Sequence, residues 1–382
     1  MSEWNLVKLG DYISIKSGLA YQGSKIGNGH SYLLGMGCVS FKDKFVYSGA
    51  RLYDDRGVDN SYYVSPGDIV LATRQQSDNL PILAMPAIIP QTFSGSKVIF
   101  GTNLYKVENN SEISNRFLFW LLKHQHYVSY IAGVKSGTAV QMVTKKNVEN
   151  YKFYCPPKPV REKIADILWS YDDLIENNNR RIELLERAAQ ELYKEWFVRF
   201  RFPGHENVKF ENGLPEGWKY DRLSSIMSFG AGKERPSSGS IYPVYGGNGI
   251  LDYCDSYNNE NAIIIGRVGA YCGSVYYEPA RCWISDNALY AISKNNAIYF
   301  NYYMLKHINL NAHQVGTGQP LITQGLLHKI KTIIPSNPLI NKYNSLVFNL
   351  LSQQNYLKQK NVLLEKQRDL LLPRLMSGKL EV

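Results

Sequence analysis

The sequence has few of the residues from which disulfide frameworks and metal sites are built. Its five cysteines, an odd number in 382 residues, are scattered, and none belongs to a Cys-x-x-Cys pair. This spacing indicates neither a disulfide framework nor a zinc site, so we expect no metal in the chain. Such cysteine usage is typical of a reducing cytoplasm.

Long apolar runs are missing as well. Residues 1–9 carry charge and no apolar run of signal length, and no stretch approaches the roughly 20 apolar residues that a membrane span requires. We therefore expect a soluble, cytoplasmic protein that has no membrane partner.

The sequence also lacks the usual catalytic motifs. Residues 229–233 do not have the Gly-x-x-x-x-Gly-Lys-Ser/Thr spacing of a phosphate loop, and residues 154–157 share only their two prolines with the amino-methyltransferase motif. No Glu-x-Lys occurs, which removes a common nuclease signature. His124 and His126 lie two apart on a predicted helix, so they are poor metal partners and we expect them at the surface. We predict a non-catalytic chain without a cofactor of its own.

Positive charge, in contrast, is in excess. Lys and Arg number 43 against 33 Asp and Glu, which gives a net charge of +10 and a pI of about 9.1. This balance favours a polyanionic partner such as nucleic acid. The 28 tyrosines fit either base stacking or half-buried strands, and strands are their more usual setting.

An internal repeat organises the chain. Three sets of residues match at one constant offset (317 − 138 = 179): Gly137-Thr138 with Gly316-Thr317, Thr144 with Thr323, and Leu184-Leu185-Glu186 with Leu363-Leu364-Glu365. The openings of the two copies, 4–9 and 218–223, match at a larger offset (218 − 4 = 214). The chain is therefore a duplication whose second globular part is shorter by 35 residues (214 − 179).

Each copy ends in a long segment with the alternating three- and four-residue spacing of a coiled coil. The segments follow proline-containing stops at 155–157 and 335–336. The predicted seam consists of Ile164, Leu168, Ile175, Asn178, Ile182, Leu185 and Leu192 in the first helix and Leu350, Leu357, Leu364 and Leu371 in the second. Polar residues at seam positions either fix the helix register or face solvent, and we favour the register role for Asn178 alone, since apolar residues flank it.

These patterns predict an α+β protein with two globular mixed α/β domains separated by two long helices that form an antiparallel coiled coil. The predicted bounds are 1–155 for the first domain, 156–200 for the central helix, 201–217 for a linker, 218–335 for the second domain and 336–382 for the distal helix. From the repeat alone, a coiled-coil scaffold or adaptor without sequence-specific DNA contacts is an equally good interpretation.

Several segments also carry a resemblance to a known family. They are Pro156-Pro157, residues 172–178 (Asp-Asp-Leu-Ile-Glu-Asn-Asn), 192–197 (Leu-Tyr-Lys-Glu-Trp-Phe), 214–218 (Leu-Pro-Glu-Gly-Trp), 316–319 (Gly-Thr-Gly-Gln) and 372–380. In these segments the chain resembles the specificity subunits of type I restriction-modification enzymes. It departs from the pattern at Ala139 and Val140, where the second copy has Gly-Gln.

The resemblance implies a subunit with two target recognition domains, each of which reads one half of a split sequence in double-stranded DNA. Modification (methyltransferase) subunits, two in number, would dock on the helices and supply the S-adenosylmethionine chemistry. Restriction subunits would add translocation and cleavage driven by ATP and Mg²⁺. Because the two domains differ in sequence and length, the two half-sites should differ too.

The candidate DNA contacts rest on side-chain chemistry. In the first domain, the loop after the strand-like residues 68–72 combines side chains suited to bidentate guanine and adenine contacts: Arg74, Gln75, Gln76 and Asn79. Arg267 follows the corresponding strand of the second domain, and these side chains alternatively cap strands or pair with acids. The phosphate candidates are Lys135, Lys145, Lys146, Lys233 and Arg235. The loops that hold Thr138, Thr317 and Gln319 either offer backbone amides to phosphate or are tight structural turns.

Overall fold

The computed structural model describes residues 4–76, 81–315 and 320–382. The chain forms two compact units, one comprising residues 1–177 with 360–382 and the other residues 178–359. Both units draw on both long helices, because each helix crosses from one range into the other.

The first unit contains two sheets and short strand pairs. Its strands are β1 (Asn5–Lys8), β2 (Ile13–Ser17), β3 (Ile26–Leu34), β4 (Ala50–Tyr53), β5 (Tyr63–Val64), β6 (Ile69–Ala72), β7 (Arg74–Gln75), β8 (Pro86–Ile88), β9 (Val98–Phe100), β10 (Leu104–Asn109), β11 (Gln141–Met142) and β12 (Lys152–Cys155). One sheet has the order β2-β10-β6-β8 and the other β4-β3-β9-β5, while β1 pairs with β12 and β7 with β11. Its short helices are α1 (Asn115–Lys123), α2 (Gln125–Val134) and α3 (Lys145–Glu149).

The second unit is built around one larger sheet. After the long helix α4 (Lys158–Tyr193) and a π-helical turn (Lys194–Val198), its strands are β13 (Phe210–Glu211), β14 (Leu214–Pro215), β15 (Lys219–Arg222), β16 (Met227–Ala231), β17 (Tyr242–Gly246), β18 (Gly249–Cys254), β19 (Asn259–Gly266), β20 (Val275–Ile284), β21 (Ala288–Ser293) and β22 (Lys331–Ile334). The sheet order is β16-β21-β19-β20-β17-β18, with β15 paired to β22 and β13 to β14. The helices α5 (Ile298–His307), α6 (Gln324–Lys329) and α7 (Asn337–Met376) complete it.

Strand pairing shows that the sequence repeat is a structural repeat. In the first unit Asn5 pairs with Cys155, and in the second unit Lys219 pairs with Ile334. Asn5 and Lys219 are related by the larger repeat offset, and Cys155 and Ile334 by the smaller one. The two strand pairs are therefore equivalent. The helices α3 and α6 begin alike, because the hydroxyls of Thr144 and Thr323 each cap the helix start. The duplication therefore preserves both the backbone topology and the local capping.

The long helices bury their seams inside the units. In the second unit Tyr343 donates to the carbonyl oxygen of Ala189 at 3.0 Å, and Gln354 approaches that of Ile182 at 3.4 Å, so the two helix segments run antiparallel. In the first unit Leu168 and Leu375 share one core. Every predicted seam residue is buried or half-buried. The α+β fold class predicted from the sequence, two mixed α/β domains with two long antiparallel helices, is confirmed.

One of the two interpretations of the polar seam residues is wrong. Asn178, Gln354 and Asn361 are all buried, so the interpretation that such residues face solvent is wrong for each of them. The expectation of surface histidines is wrong for His124, which is buried at the junction of α1 and α2 and stacks on His126 with ring centroids 5.0 Å apart. Burial lowers the pKa of His124 to about 4, with a smaller contribution from His126.

All five cysteines are buried free thiols. Within the described ranges, no helix is both long enough and apolar enough to cross a membrane.

Close backbone crossings recur at equivalent glycines and yield a stability prediction. A Cβ on Gly18 would collide with the carbonyl oxygen of Gly101, and a Cβ on Gly232 with that of Ser285. We expect Gly18→Ala and Gly232→Ala each to destabilise the protein by about 1–3 kcal/mol, since backbone atoms must move to make room. Calorimetric melting should show a drop of several degrees.

The matched control is Gly23→Ala, because a Cβ at Gly23 has nothing within 4 Å. Its melting temperature should stay close to that of the unchanged protein. An equal drop for all three variants, or none for Gly18 and Gly232, would contradict the crossing as the cause.

Candidate nucleic-acid interface

In the first unit the candidate residues gather where β6 ends. The chain continues into β7, where Arg74 pairs with Met142 and Gln75 with Gln141. Ser136 and Met142 exchange two backbone hydrogen bonds and so close a hairpin loop over residues 137–141. This loop, which includes the exposed Thr138, therefore lies near the end of β6.

Glycine is required at the start of this loop. Gly137 has a φ of +95°, and a Cβ there would collide with the carbonyl oxygen of Val140. Such a conformation is open to glycine and strained for other residues. The backbone conformation of this loop therefore explains the glycine of the repeated Gly-Thr pair in the first unit. It favours the tight-turn interpretation there.

Gln75 makes its contacts inside the first unit. Its Nε2 donates to Oε1 of Gln141 at 2.6 Å, and its Oε1 accepts from the backbone amides of Ile82 and Leu83 at 3.0 and 2.9 Å. The side chain is only 5% exposed. Gln75 therefore holds the loop in place, which favours the structural alternative for this residue. Its neighbour Gln76 is exposed.

Arg74 and Lys135 bring positive charge to the same place. Lys135 donates through Nζ to Oε1 of Gln141 at 3.1 Å. Arg74 is half-buried, and its Nε is buried with no hydrogen-bond partner in the described part of the chain. Burial raises the pKa of Tyr105, and the charge of Arg74 acts against this rise, which places the guanidinium near that phenol. Tyr105 in turn donates to the carbonyl oxygen of Val143 at 3.1 Å.

The remaining candidates of the first unit lie around this centre. Lys145 is half-buried at the first position of α3, and Lys146 is exposed on the same helix. Asn79 lies outside the described residues. The structure therefore brings together Arg74, Lys135 and the hairpin loop, with α3 following directly after the hairpin.

The second unit repeats this arrangement at the end of β19. The backbone N–H of Arg267 donates to Asn287 at 3.1 Å, and its carbonyl accepts from Ile322 at 2.9 Å. Its Nη1 approaches the carbonyl oxygen of Asp286 at 3.4 Å, and its Nε is buried without a hydrogen-bond partner among the residues described. Val315 and Leu321 exchange two backbone hydrogen bonds, as Ser136 and Met142 do.

Lys233, which follows β16, lies next to the segment that Arg267 contacts. Its backbone pairs with Ser285, so Lys233 and Arg267 meet at residues 285–287. Arg235 is exposed two residues further on, where Trp283 donates to the carbonyl oxygen of the intervening Glu234 at 3.2 Å. Thr317 and Gln319 lie outside the described residues.

The hydrogen-bond register shows which residue of the first unit corresponds to Arg267. In the first unit Thr73 donates to Asn103 and accepts from Val143, which are the contacts that Arg267 makes with Asn287 and Ile322. Arg267 is therefore the counterpart of Thr73, and Val268 is the counterpart of Arg74. Adjacent residues of a strand point to opposite faces, so the two arginines leave equivalent strands in different directions.

Sequence reasoning missed one exposed aromatic residue at this place. Tyr271 is 52% exposed in the short turn Gly269–Tyr271, close behind Arg267. An exposed ring of this kind can stack on a base. The signal that could have found it was a single aromatic residue within a glycine-rich run, 266–273, that follows a buried strand.

In the parts of the chain that the structure covers, no group of three or more His, Cys, Asp or Glu side chains is placed to hold a metal ion. The described residues of the two sites offer guanidinium, ammonium, hydroxyl and aromatic groups, which are groups that contact bases and phosphates.

Comparisons with known proteins agree on one family. A family model described as the type I restriction modification DNA specificity domain matches residues 1–187 and 215–362. The specificity subunit of the type I restriction enzyme MjaIX from Methanocaldococcus jannaschii is 26% identical over 309 residues, covering 71% of this chain and 70% of that protein. The EcoprrI specificity subunit from Escherichia coli is 30% identical over 139 residues, 34% of each chain.

A solved structure shows the same fold. The crystal structure of the type I restriction-modification S subunit from M. genitalium aligns with a TM-score of 0.58 at 17% identity. The alignment covers 98% of this chain and 96% of that one. The likeness therefore extends over both units and both long helices.

The internal role of Gln75 can be separated from base contact. We expect Gln75→Ala to destabilise the protein by about 1–3 kcal/mol, because the amide of buried Leu83 loses its acceptor. The exposed neighbour provides the control, and Gln76→Ala should leave stability within about 0.5 kcal/mol of the unchanged protein. Urea unfolding followed by circular dichroism measures both, and equal stability of the two variants would contradict the internal role.

Proposed function

This chain belongs to the family of type I restriction-modification specificity subunits, and we propose that it directs its enzyme to an asymmetric DNA sequence in two parts. The observation that carries the proposal is the repetition of one strand-end site in both units. Each site joins a basic residue near the end of a buried strand to a pair of residues that exchange two backbone hydrogen bonds, Ser136 with Met142 in the first unit and Val315 with Leu321 in the second, and the side chains differ between the two copies.

Different side chains on one backbone support different half-sites. The first unit offers Arg74 and Lys135, whereas the second offers Lys233 and Arg267. Arginine donors suit guanine edges in the major groove, and lysines suit phosphates. Because the arginines occupy non-equivalent positions of their strands, each unit reads its own short block of double-stranded DNA.

In this proposal the two long helices set the distance between the DNA half-sites and provide the surface on which the modification subunits dock. Changing the length of α4 or α7 would shift one reader along the DNA relative to the other, so the unread spacer follows the helix pair. Leu184 and Leu363, which are equivalent positions of the repeat, are 50% and 60% exposed. A repeated exposed leucine fits two copies of one partner, which supports two modification subunits.

The chemistry then belongs to the partners. The chain acts without catalysis, the modification subunits bind S-adenosylmethionine, and the restriction subunits use ATP and Mg²⁺. We place this assembly in the cytoplasm, where the DNA is. The net charge of +10 supports binding to the DNA backbone.

Methylation mapping tests the proposal. The chain is co-expressed with its cognate modification subunit in a host that lacks the system, and the genome is sequenced for methyladenine. We expect one motif, made of two different short blocks around a fixed spacer. A stable complex that leaves the genome unmethylated would rule out the DNA-addressing role and favour the adaptor interpretation.

The division of labour between the units makes a second prediction. Arg74→Ala should relax one block of the motif by about tenfold or more at one base pair, and Arg267→Ala should relax the other block, since a bidentate contact contributes about 1–3 kcal/mol of discrimination. The readout is the methylated fraction of sites with single mismatches. Arg56→Ala is the matched control, because Arg56 is exposed and pairs with Asp54 on another loop of the first unit. Relaxation of the same block by both test variants would contradict one reader per unit.

A further inference from the structure

A buried ion pair crosses the helix seam of the first unit. Asp172 on α4 accepts a hydrogen bond from Nη1 of Arg368 on α7 at 2.6 Å. The two residues are only 4% and 9% exposed. The guanidinium of Arg368 also lies 5.3 Å from the ring of Trp120 and donates to Asp369 at 2.9 Å. The two opposite charges are thus paired inside a buried seam, whose other buried polar residues, Asn178, Gln354 and Asn361, carry no charge.

The repeat shows that this pair is a departure from the common plan. By the constant offset that relates the two helices, Asp172 corresponds to Leu351 and Arg368 corresponds to Ala189. Leu351 and Ala189 are both buried in the hydrophobic core of the second unit. The same layer of the helix pair is therefore ionic in one unit and apolar in the other. Packing alone does not require a charge at this place, because the apolar version exists in the same chain.

We propose that Asp172 and Arg368 are positioning residues that select one register of α4 against α7 and thereby determine the spacer of the DNA target. The inference rests on the proposed function for its link to the spacer. Leucine seams offer similar packing after a slip of one heptad, so they discriminate weakly between registers. A buried ion pair discriminates strongly, because separating it leaves charges in an apolar interior.

The slipped registers can be named. If α7 moves by one heptad in one direction, Asp172 faces Leu375, and in the other direction Arg368 faces Ala165. Both Leu375 and Ala165 are buried. Either slip thus sets a charge against an apolar side chain and separates Asp172 from Arg368, which then keeps only Asp369 of its own helix as a partner. A slip of one heptad shifts one helix by about 10 Å, which corresponds to about three base pairs of DNA.

Another buried polar seam residue discriminates less. Across the seam of the second unit, the side-chain amide of Gln354 approaches a backbone carbonyl, that of Ile182, at 3.4 Å. Backbone carbonyls recur at every residue of α4, so a similar contact is available after a slip. The pair of Asp172 and Arg368, in contrast, needs two particular side chains in one layer.

The test replaces the ionic layer by its apolar counterpart. The double variant Asp172→Leu with Arg368→Ala places in the first unit the residues that occupy the layer in the second. Replacing a buried ion pair by well-packed apolar residues of similar volume is often neutral for stability, and Leu351 with Ala189 occupies the equivalent layer of the second unit, so we expect the complex to form. Methylation mapping should then show the same two blocks with a second spacer, about three base pairs longer or shorter, beside the original one.

A rescue variant and a control keep the test sharp. Reversing the charges with Asp172→Arg and Arg368→Asp should restore a single spacer, since complementarity returns in one register only. The matched control is Arg116→Ala with Asp166→Ala, which removes an exposed ion pair between α1 and α4 of 3.7 Å. It should leave the original spacer unchanged.

The outcomes separate the two proposals. If the apolar double variant forms the complex and methylates only the original spacer, the register role is overturned. If that variant does not fold, as its melting curve reports, the charge-reversed variant decides, and a mixed spacer there overturns the role. A failure of the unchanged protein to methylate any two-part motif would instead remove the proposed function.

Discussion

The heptad seams of α4 and α7 must be buried, and each unit buries a different part of them. In the first unit Ile164 and Leu168 join the core that contains Phe117 and Leu375. In the second, Tyr193 and Phe197 pack with Phe300 and Tyr343, and the rings of Phe197 and Phe300 lie 4.9 Å apart. Neither core closes without residues from both long helices, so the stability of the units depends on the pairing of the helices.

Different side chains hold the globular part of each unit against α4. In the first, Lys44 contacts Asp173 at 3.7 Å and Glu176 at 3.3 Å. In the second, Glu186 accepts from Lys306 at 2.9 Å and from the hydroxyl of Tyr303 at 3.1 Å. Exposed ion pairs contribute little to stability, whereas the half-buried pair of Lys306 and Glu186 is shielded from solvent by its aromatic neighbours. A duplicated backbone has thus kept its geometry while its contacts diverged.

Local and periodic signals account for what the sequence could predict. The heptad spacing and the constant offset between the two copies indicated the helices, their seams and the repeated topology, because these features depend on positions along one chain segment. The contacts that were missed are long-range. Gln75 is held by Gln141, 66 residues away, and Asp172 meets Arg368 across 196 residues. Composition and spacing do not show which polar residues will share a buried layer.

Arg74 and Arg267 occupy non-equivalent positions of their strands, and long-range contacts also explain why the sequence did not show this difference. Strand register is set by hydrogen bonds to distant segments, and a shift of one residue moves a side chain to the other face of the strand. The backbones around Thr73 and Arg267 are equivalent, yet the arginine stands at one position in one unit and at the next position in the other. One residue of displacement therefore changes where a guanidinium is presented, while the sheet, the hairpin and the helix pair stay as they are. Under the proposed function, such a displacement would change the DNA sequence that a unit recognises and leave α4 and α7 unchanged, because the strand ends and the helices are separate parts of the chain.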